Sequence, residues 1–216
     1  MSRDFIIKIC GMTEAENIRE VERLLPSWMG FICWKNSPRG VEVPPAYLPE
    51  QPQRTGVFVN PTMEYVLQKT EEFRFDHVQL HGKESADFCR DLRKALLRIP
   101  RPVSLIKAFA VASPADLNCV AEYTAHCDYF LFDTKCTCTG GSGRAFDWQI
   151  LQHYTGPIPF ILSGGIGPDS LPALRQFSHP YWTGIDLNSR FEDTPGHKNI
   201  ALLQSFFREL KNHSLL

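Results

Sequence analysis

Four short stretches of the chain carry side chains able to move protons or hold anions. Cys10 closes the apolar run Phe5-Ile6-Ile7-Lys8-Ile9 and is followed by Gly11. A free thiol has a pKa of about 8.5, so only a small share is thiolate at neutral pH. A cation or a helix start nearby raises that share, and Lys8 stands two residues earlier, on the same face of an extended chain. Asp133 follows the apolar run Tyr129-Phe130-Leu131-Phe132. A carboxyl partly withdrawn from water there is a proton donor near neutral pH, although Lys135 would pull the other way. Arg39, in Ser37-Pro38-Arg39, offers a planar fork suited to a carboxylate or phosphate. Ser163-Gly164-Gly165-Ile166-Gly167 lets backbone N–H groups approach an anion just before a helix start, and Asn188 and Ser189 could complete the cup. Each residue also has a plainer reading. Cys10 could be a small core hydrophobe, Asp133 a loop cap, Arg39 a solvated arginine, and the glycines a simple turn. Position alone leaves both readings open.

The elements decide which of these groups meet. Short apolar runs, read as strands, fall at 5–10, 28–34, 54–59, 76–80, 103–109, 128–132, 158–162 and 181–186. Amphipathic stretches, read as helices, fall at 13–25, 62–72, 84–97, 114–124, 147–153, 168–176 and 198–211. The Pro-rich stretch after the second strand has room for a short helix only. Thr13 with Glu16 suggests a capping box, and Ser113-Pro114 an N-cap. Strands alternating with helices imply parallel pairing. Eight such units imply a single-domain (β/α)8 TIM barrel over residues 1–216, with an open doubly wound sheet as the alternative. The active site of such a barrel lies at the C-terminal strand ends, with phosphate at the last two loops. Those ends carry Cys10, Arg39, His81, Asp133, Gly164, Gly165, Asp186, Asn188 and Ser189.

Composition narrows the ligand class. The chain has 216 residues, with 23 Lys and Arg against 24 Asp and Glu, a formal charge of −1. That balance gives no bulk attraction for nucleic acid or an anionic membrane, so an anionic small molecule must be caught locally. No leader pattern or long apolar run is evident, so a cytoplasmic location is expected. The 7 cysteines are an odd, scattered set, expected to be mostly reduced thiols. Cys136 and Cys138 form a Cys-x-Cys pair with no second pair to complete a tetrahedral site. His77 and His81 have helical spacing, but a strand separates them, so no metal site is expected.

Taken together the motifs resemble the phosphoribosylanthranilate isomerase family. The stretches are KICGMT (8–13), GFICWKNSPRGV (30–41), GVFVN (56–60), VQLHG (78–82), LFDTK with GGSGRAFDW (131–148), LSGGIGP (162–168) and GIDLNSRFEDTPGHKN (184–199). The resemblance implies an Amadori rearrangement of a phosphorylated aminoaldose, without cofactor or metal. It implies Asp133 as general acid and Cys10 as general base. Arg39 would hold the anthranilate carboxylate, with Gly164, Gly165, Asn188 and Ser189 on the phosphate and Asp186 near the ribosyl group. His81 is a further candidate for substrate binding. The chain departs from the family's pattern at Cys136, Cys138, Arg190 and Phe191. Arg190 could touch phosphate or face solvent. A barrel isomerase of the histidine pathway is the runner-up, but it would resemble a paired-aspartate site, and a cysteine at the first tip argues against it. A barrel that lost catalysis would lack the acid or the base. The oligomeric state, monomer or homodimer, is left open.

Overall fold

Eight parallel strands close into a barrel in chain order. The computed structural model describes residues 5–134 and 148–212. The strands are β1 (Ile6–Ile9), β2 (Trp28–Ile32), β3 (Gln53–Phe58), β4 (His77–Leu80), β5 (Ser104–Val111), β6 (Tyr129–Thr134), β7 (Phe160–Ser163) and β8 (Trp182–Leu187). β1 pairs with both β2 and β8, and Lys8 lies opposite Asp186 in that last register. Side chains alternate along each strand, so the barrel sorts its apolar residues into two sets. Ile6, Trp28, Ile106, Ala108, Leu131 and Ile161 cluster inside. The larger cluster, including Ile7, Ile9, Phe31, Phe58, Leu105 and Phe132, packs outward against the helices. Each such side chain contributes about 1.5–3 kcal/mol on burial.

The helices follow their amphipathic patterns where caps and length allow. α1 is Ala15–Glu22, α2 Met63–Phe73, α3 Ala86–Leu96, α4 Leu171–Gln176 and α5 Ile200–Asn212. Thr62 and Ser85 cap α2 and α3 by accepting hydrogen bonds from Tyr65 N and Phe88 N. α3 buries Cys89, Leu92 and Leu96 on one face. At its last turn Arg93 clasps Asp128 at 2.6 and 2.8 Å.

Several expected helices are replaced. No helix forms between β2 and β3, where Pro38, Pro44, Pro45, Pro49 and Pro52 interrupt the backbone donors a helix needs. The 114–124 stretch breaks into 3-10 turns at Pro114–Leu117 and Val120–Tyr123, and residues 148–153 form a third. The helix expected from 168 starts as a 3-10 turn, Pro168–Ser170, before α4. Thr13 caps nothing; its hydroxyl donates to Gly196 O at 3.0 Å. The structure adds a hairpin after β8, made of β9 (Glu192–Thr194) and β10 (His197–Lys198). Among the described residues no helix is long and apolar enough to cross a membrane. Lys135, Cys136 and Cys138 lie outside the described residues.

Candidate active site

The C-terminal strand ends surround a cavity of about 310 Å³. Cys10, His81, Asp133, Gly164, Gly165, Asp186, Asn188 and Ser189 all line it. Eight of the nine residues singled out by sequence therefore converge, and Arg39 is set back from the lining.

Cys10 ends the inward series Ile6, Lys8, Cys10. Only 4% of its surface is exposed. An atom added at Gly30, on the neighbouring strand, would sit 2.8 Å from Cys10 Sγ and 3.2 Å from Lys8 Nζ. The thiol and the ammonium thus face the same point, as the strand alternation predicts. Lys8 is fully buried and donates to Asp186 Oδ1 at 2.9 Å. Burial is the largest influence on the Cys10 thiol and pushes it up, and Asp186 adds to that. Lys8 and Lys198 pull it down without cancelling the rise. Lys8 thus favours the thiolate, as its place on the same face predicts, but burial outweighs it and the resting group is the neutral thiol. Burial also works against the Lys8 charge, but the Asp186 carboxylate is the main group that offsets it, and the Lys8 pKa lies above its ordinary value.

On the opposite wall, Asp133 is the second-last residue of β6. Its side chain keeps 27% of its surface exposed, so the desolvation expected there is partial. His81 Nε2 lies 3.2 Å from Asp133 Oδ2, and His81 Nδ1 lies 2.9 Å from Gln79 Nε2. With the Gln79 amide donating to Nδ1, the imidazole proton sits on Nε2 and points at the carboxyl. Asp133 Oδ1 has no partner among the described residues.

The loops after β7 and β8 form the third wall. Gly164 and Gly165 hold φ of 92° and 66°, a region side chains rarely tolerate. A side chain at Gly165 would meet nothing within 4 Å, so its backbone is open to a ligand. Ser163 Oγ donates to Asp186 Oδ2 at 3.4 Å. Arg190 is held by Asp169 through Nη2, at 2.9 and 3.0 Å, and lies beside Gly167. On the fourth side, Ile32, Trp34, Val57 and Val59 give the cavity an apolar face.

Sequence reasoning missed Glu192 and Lys198. Arg39 is clasped by Glu192: Nε lies 2.9 Å from both carboxylate oxygens and Nη2 2.6 Å from Oε2. Glu192 also accepts from Lys198 Nζ, which donates to Asn188 Oδ1 at 2.8 Å as well. Burial would raise the Glu192 carboxyl, yet the hydrogen bonds from Arg39 and Lys198 carry it below its ordinary range. The turn Thr194-Pro195-Gly196, flanked by charged residues, was the available signal for a hairpin. Nothing local marked its two ends as part of the cavity's support.

Comparison with known proteins gives one consistent result. The family model for N-(5′-phosphoribosyl)anthranilate (PRA) isomerase matches residues 7–209. The N-(5′-phosphoribosyl)anthranilate isomerase of Phocaeicola vulgatus is 50% identical over 206 residues, which cover 95% of this chain and 98% of the relative. The phosphoribosyl anthranilate isomerase of Thermotoga maritima superposes with a TM-score of 0.77 at 27% identity, covering 96% of this chain and 99% of the other. Another such isomerase, solved in complex with reduced 1-(o-carboxyphenylamino)-1-deoxyribulose 5-phosphate, gives a TM-score of 0.75 at 25% identity, covering 96% and 99%.

Proposed function

Because the chain belongs to the N-(5′-phosphoribosyl)anthranilate isomerase family, we propose that its barrel mouth carries out that isomerisation with Cys10 as base and Asp133 as acid. The protein is an isomerase of tryptophan biosynthesis. It converts N-(5′-phosphoribosyl)anthranilate, an aminoaldose, into 1-(2-carboxyphenylamino)-1-deoxyribulose 5-phosphate, an aminoketose.

The order of groups around the barrel supports the reading most directly. β7 and β8 bring Gly164, Gly165, Asn188 and Ser189, a set suited to the phosphate. β2 and β3 bring Ile32, Trp34, Val57 and Val59, an apolar face suited to the anthranilate ring. β1 lies between β8 and β2, so Cys10 stands between the phosphate end and the aromatic end. The reacting C2′ carbon has that same place in the substrate. Asp133 faces it from β6, across the cavity.

On this reading the steps are those that the resemblance to the family implies, and the placements are compatible with them. Asp133, with Oδ2 engaged by His81, gives the proton on Oδ1 to the furanose ring oxygen. The C1′–O bond breaks and a protonated Schiff base forms at C1′. Cys10, as thiolate, takes the C2′ proton, and the electrons flow toward the imine nitrogen to give an enolamine. Tautomerisation then yields the ketone. Arg39 is assigned to the anthranilate carboxylate, with Nη1 the nitrogen free of Glu192. Asp186 and Ser163 are assigned to the ribosyl hydroxyls. The ligand is thus a phosphorylated sugar derivative.

Loss of substrate fluorescence follows the reaction. Cys10→Ala and Asp133→Asn should each lower kcat by about a thousandfold, the range of a lost general acid or base, with KM within a few-fold of the parent. Near-normal turnover in either variant removes that residue from its role.

A further inference from the structure

The hairpin after β8 does more than close the chain. We propose that Lys198 and Glu192, at its two ends, are positioning residues for the isomerase: Glu192 holds Arg39 in place, and Lys198 sets a buried positive charge beside Cys10. This rests on Cys10 and Arg39 having the roles assigned above.

Three observations carry it. First, the cluster is unbalanced. One carboxylate, Glu192, serves two cations, and the side-chain exposures are 0% for Lys198, 3% for Glu192 and 18% for Arg39. Burial pulls the Lys198 ammonium below its ordinary range and Glu192 holds it up; while it stays protonated, two cations face one carboxylate with little water to screen them, and at low local dielectric the excess acts strongly on its neighbours.

Second, the cluster is fastened to the loop and helix that follow the thiol. Lys198 N donates to Asn17 Oδ1 at 2.8 Å, and Asn17 Nδ2 donates to Lys198 O at 2.9 Å. Asn17 is buried on α1, the helix that follows Cys10. Thr13 holds the hairpin turn at Gly196 O, and Gly196 N donates to Glu192 Oε1 at 3.2 Å. Position 198 is remote from position 10 in sequence but is held by the helix that follows it.

Third, Arg39 and Asn188 meet above Gly11. An added side-chain atom at Gly11 would lie 2.7 Å from Arg39 Cδ and 2.8 Å from Asn188 Oδ1. Glu192 and Lys198 hold the far ends of those two side chains. The charged groups facing Cys10 are Lys8 from its own strand, Asp186 from β8, Arg39 from the loop after β2, and Lys198 from the hairpin. β2 itself offers only Gly30 there.

The test reads the Cys10 thiol directly. Wild-type, Lys198→Met and Glu192→Gln proteins are alkylated with iodoacetamide across a pH series, and the Cys10 peptide is quantified by mass spectrometry. Removing the ammonium should move the alkylation midpoint up by about one pH unit. Removing the carboxylate charge should move it down. Glu192→Gln should also raise KM for N-(5′-phosphoribosyl)anthranilate about tenfold, as Arg39 loses its charged anchor. A merely structural role would lower stability without moving the midpoint in opposite directions. Midpoints that stay put, or move the same way, overturn the proposal. If Lys198→Met fails to fold, Glu192→Gln decides alone: a downward shift supports the proposal, and any other result sinks it. Wild-type protein with no turnover of N-(5′-phosphoribosyl)anthranilate would sink the assigned reaction, while the alkylation midpoints would still judge the charge placement.

Discussion

A thiol in this position is pulled two ways. Burial resists the thiolate, and the ammonium of Lys8 favours it, with burial stronger. A high thiol pKa leaves few molecules with the base ready, but each thiolate formed is a stronger base toward a carbon-bound proton. Lys8 then keeps the cost of forming the thiolate within reach. Lys8→Met should therefore slow alkylation of Cys10 at pH 8 by about tenfold, a shift of about one pKa unit. It should also destabilise the fold by about 3 kcal/mol or more, because Asp186 would be left buried and unpaired. The two effects separate in Lys8→Met with Asp186→Asn. The double variant should regain much of the stability, measured by urea unfolding, and keep the slow thiol. An alkylation rate equal to wild type in either protein would remove Lys8 from its part in setting the thiol.

At the scale of elements, buried lysines are the recurring fastener. Lys8 joins β1 to β8, Lys198 joins the two strands of the hairpin, and Lys107 joins β5 to the loop after β4. Lys107 Nζ donates to Glu84 Oε2 at 3.0 Å and to Gly82 O at 2.9 Å. Glu84 in turn accepts from Asn60 N and Gly82 N. That knot anchors the loop that starts at His81. Lys107→Met should destabilise the protein by about 3–5 kcal/mol, the usual effect of breaking one side of a buried pair, as measured by chemical denaturation. A loss under 1 kcal/mol would show the knot to be solvated and dispensable. These fasteners explain what the sequence made legible. Short apolar runs gave all eight strands to within two residues at each end, and strand-end position gave Cys10, His81 and Asp133. The 114–124 stretch reads as one helix from its composition, and the structure divides it into 3-10 turns at Pro114–Leu117 and Val120–Tyr123. Glu192 and Lys198 were missed because their value comes from contacts with Arg39 and Asn17, both far away in sequence. Arg39 was placed correctly on its loop, but the carboxylate that clasps it could not be read from local residues.

For the molecule as a whole, the two ends of the barrel answer to different ranges of pH. The mouth holds the thiol, whose proton leaves on the alkaline side. Below it His77 is buried under Lys8, with its ring 4.0 Å from that of Trp28. Its Nε2 pairs with Gln53 Oε1 at 3.1 Å, and its Nδ1 has no partner among the described residues. Burial first, and the Lys8 charge second, lower its pKa to about 3. A histidine depressed in this way is neutral in the folded protein, while the unfolded chain takes up a proton near pH 6.5. Its contribution is therefore complete above pH 6.5 and is lost as pH falls from 6.5 toward 3. Glu192, also depressed, acts lower, because a carboxylate's contribution is lost only below its unfolded value of about 4.3. The range from pH 6.5 to 4.5 belongs mainly to His77. Wild-type protein should lose about 2 kcal/mol of unfolding free energy between pH 7 and pH 5 from this one group. His77→Phe keeps the ring contact with Trp28 and leaves the exposed Gln53 able to find water, so its stability should stay nearly level over that interval. Urea unfolding at the two pH values measures both slopes, and equal losses in the two proteins would place the acid sensitivity elsewhere. Because His77 lies in the closed lower layer and Cys10 at the open mouth, the substitution should leave the alkylation midpoint of Cys10 unchanged.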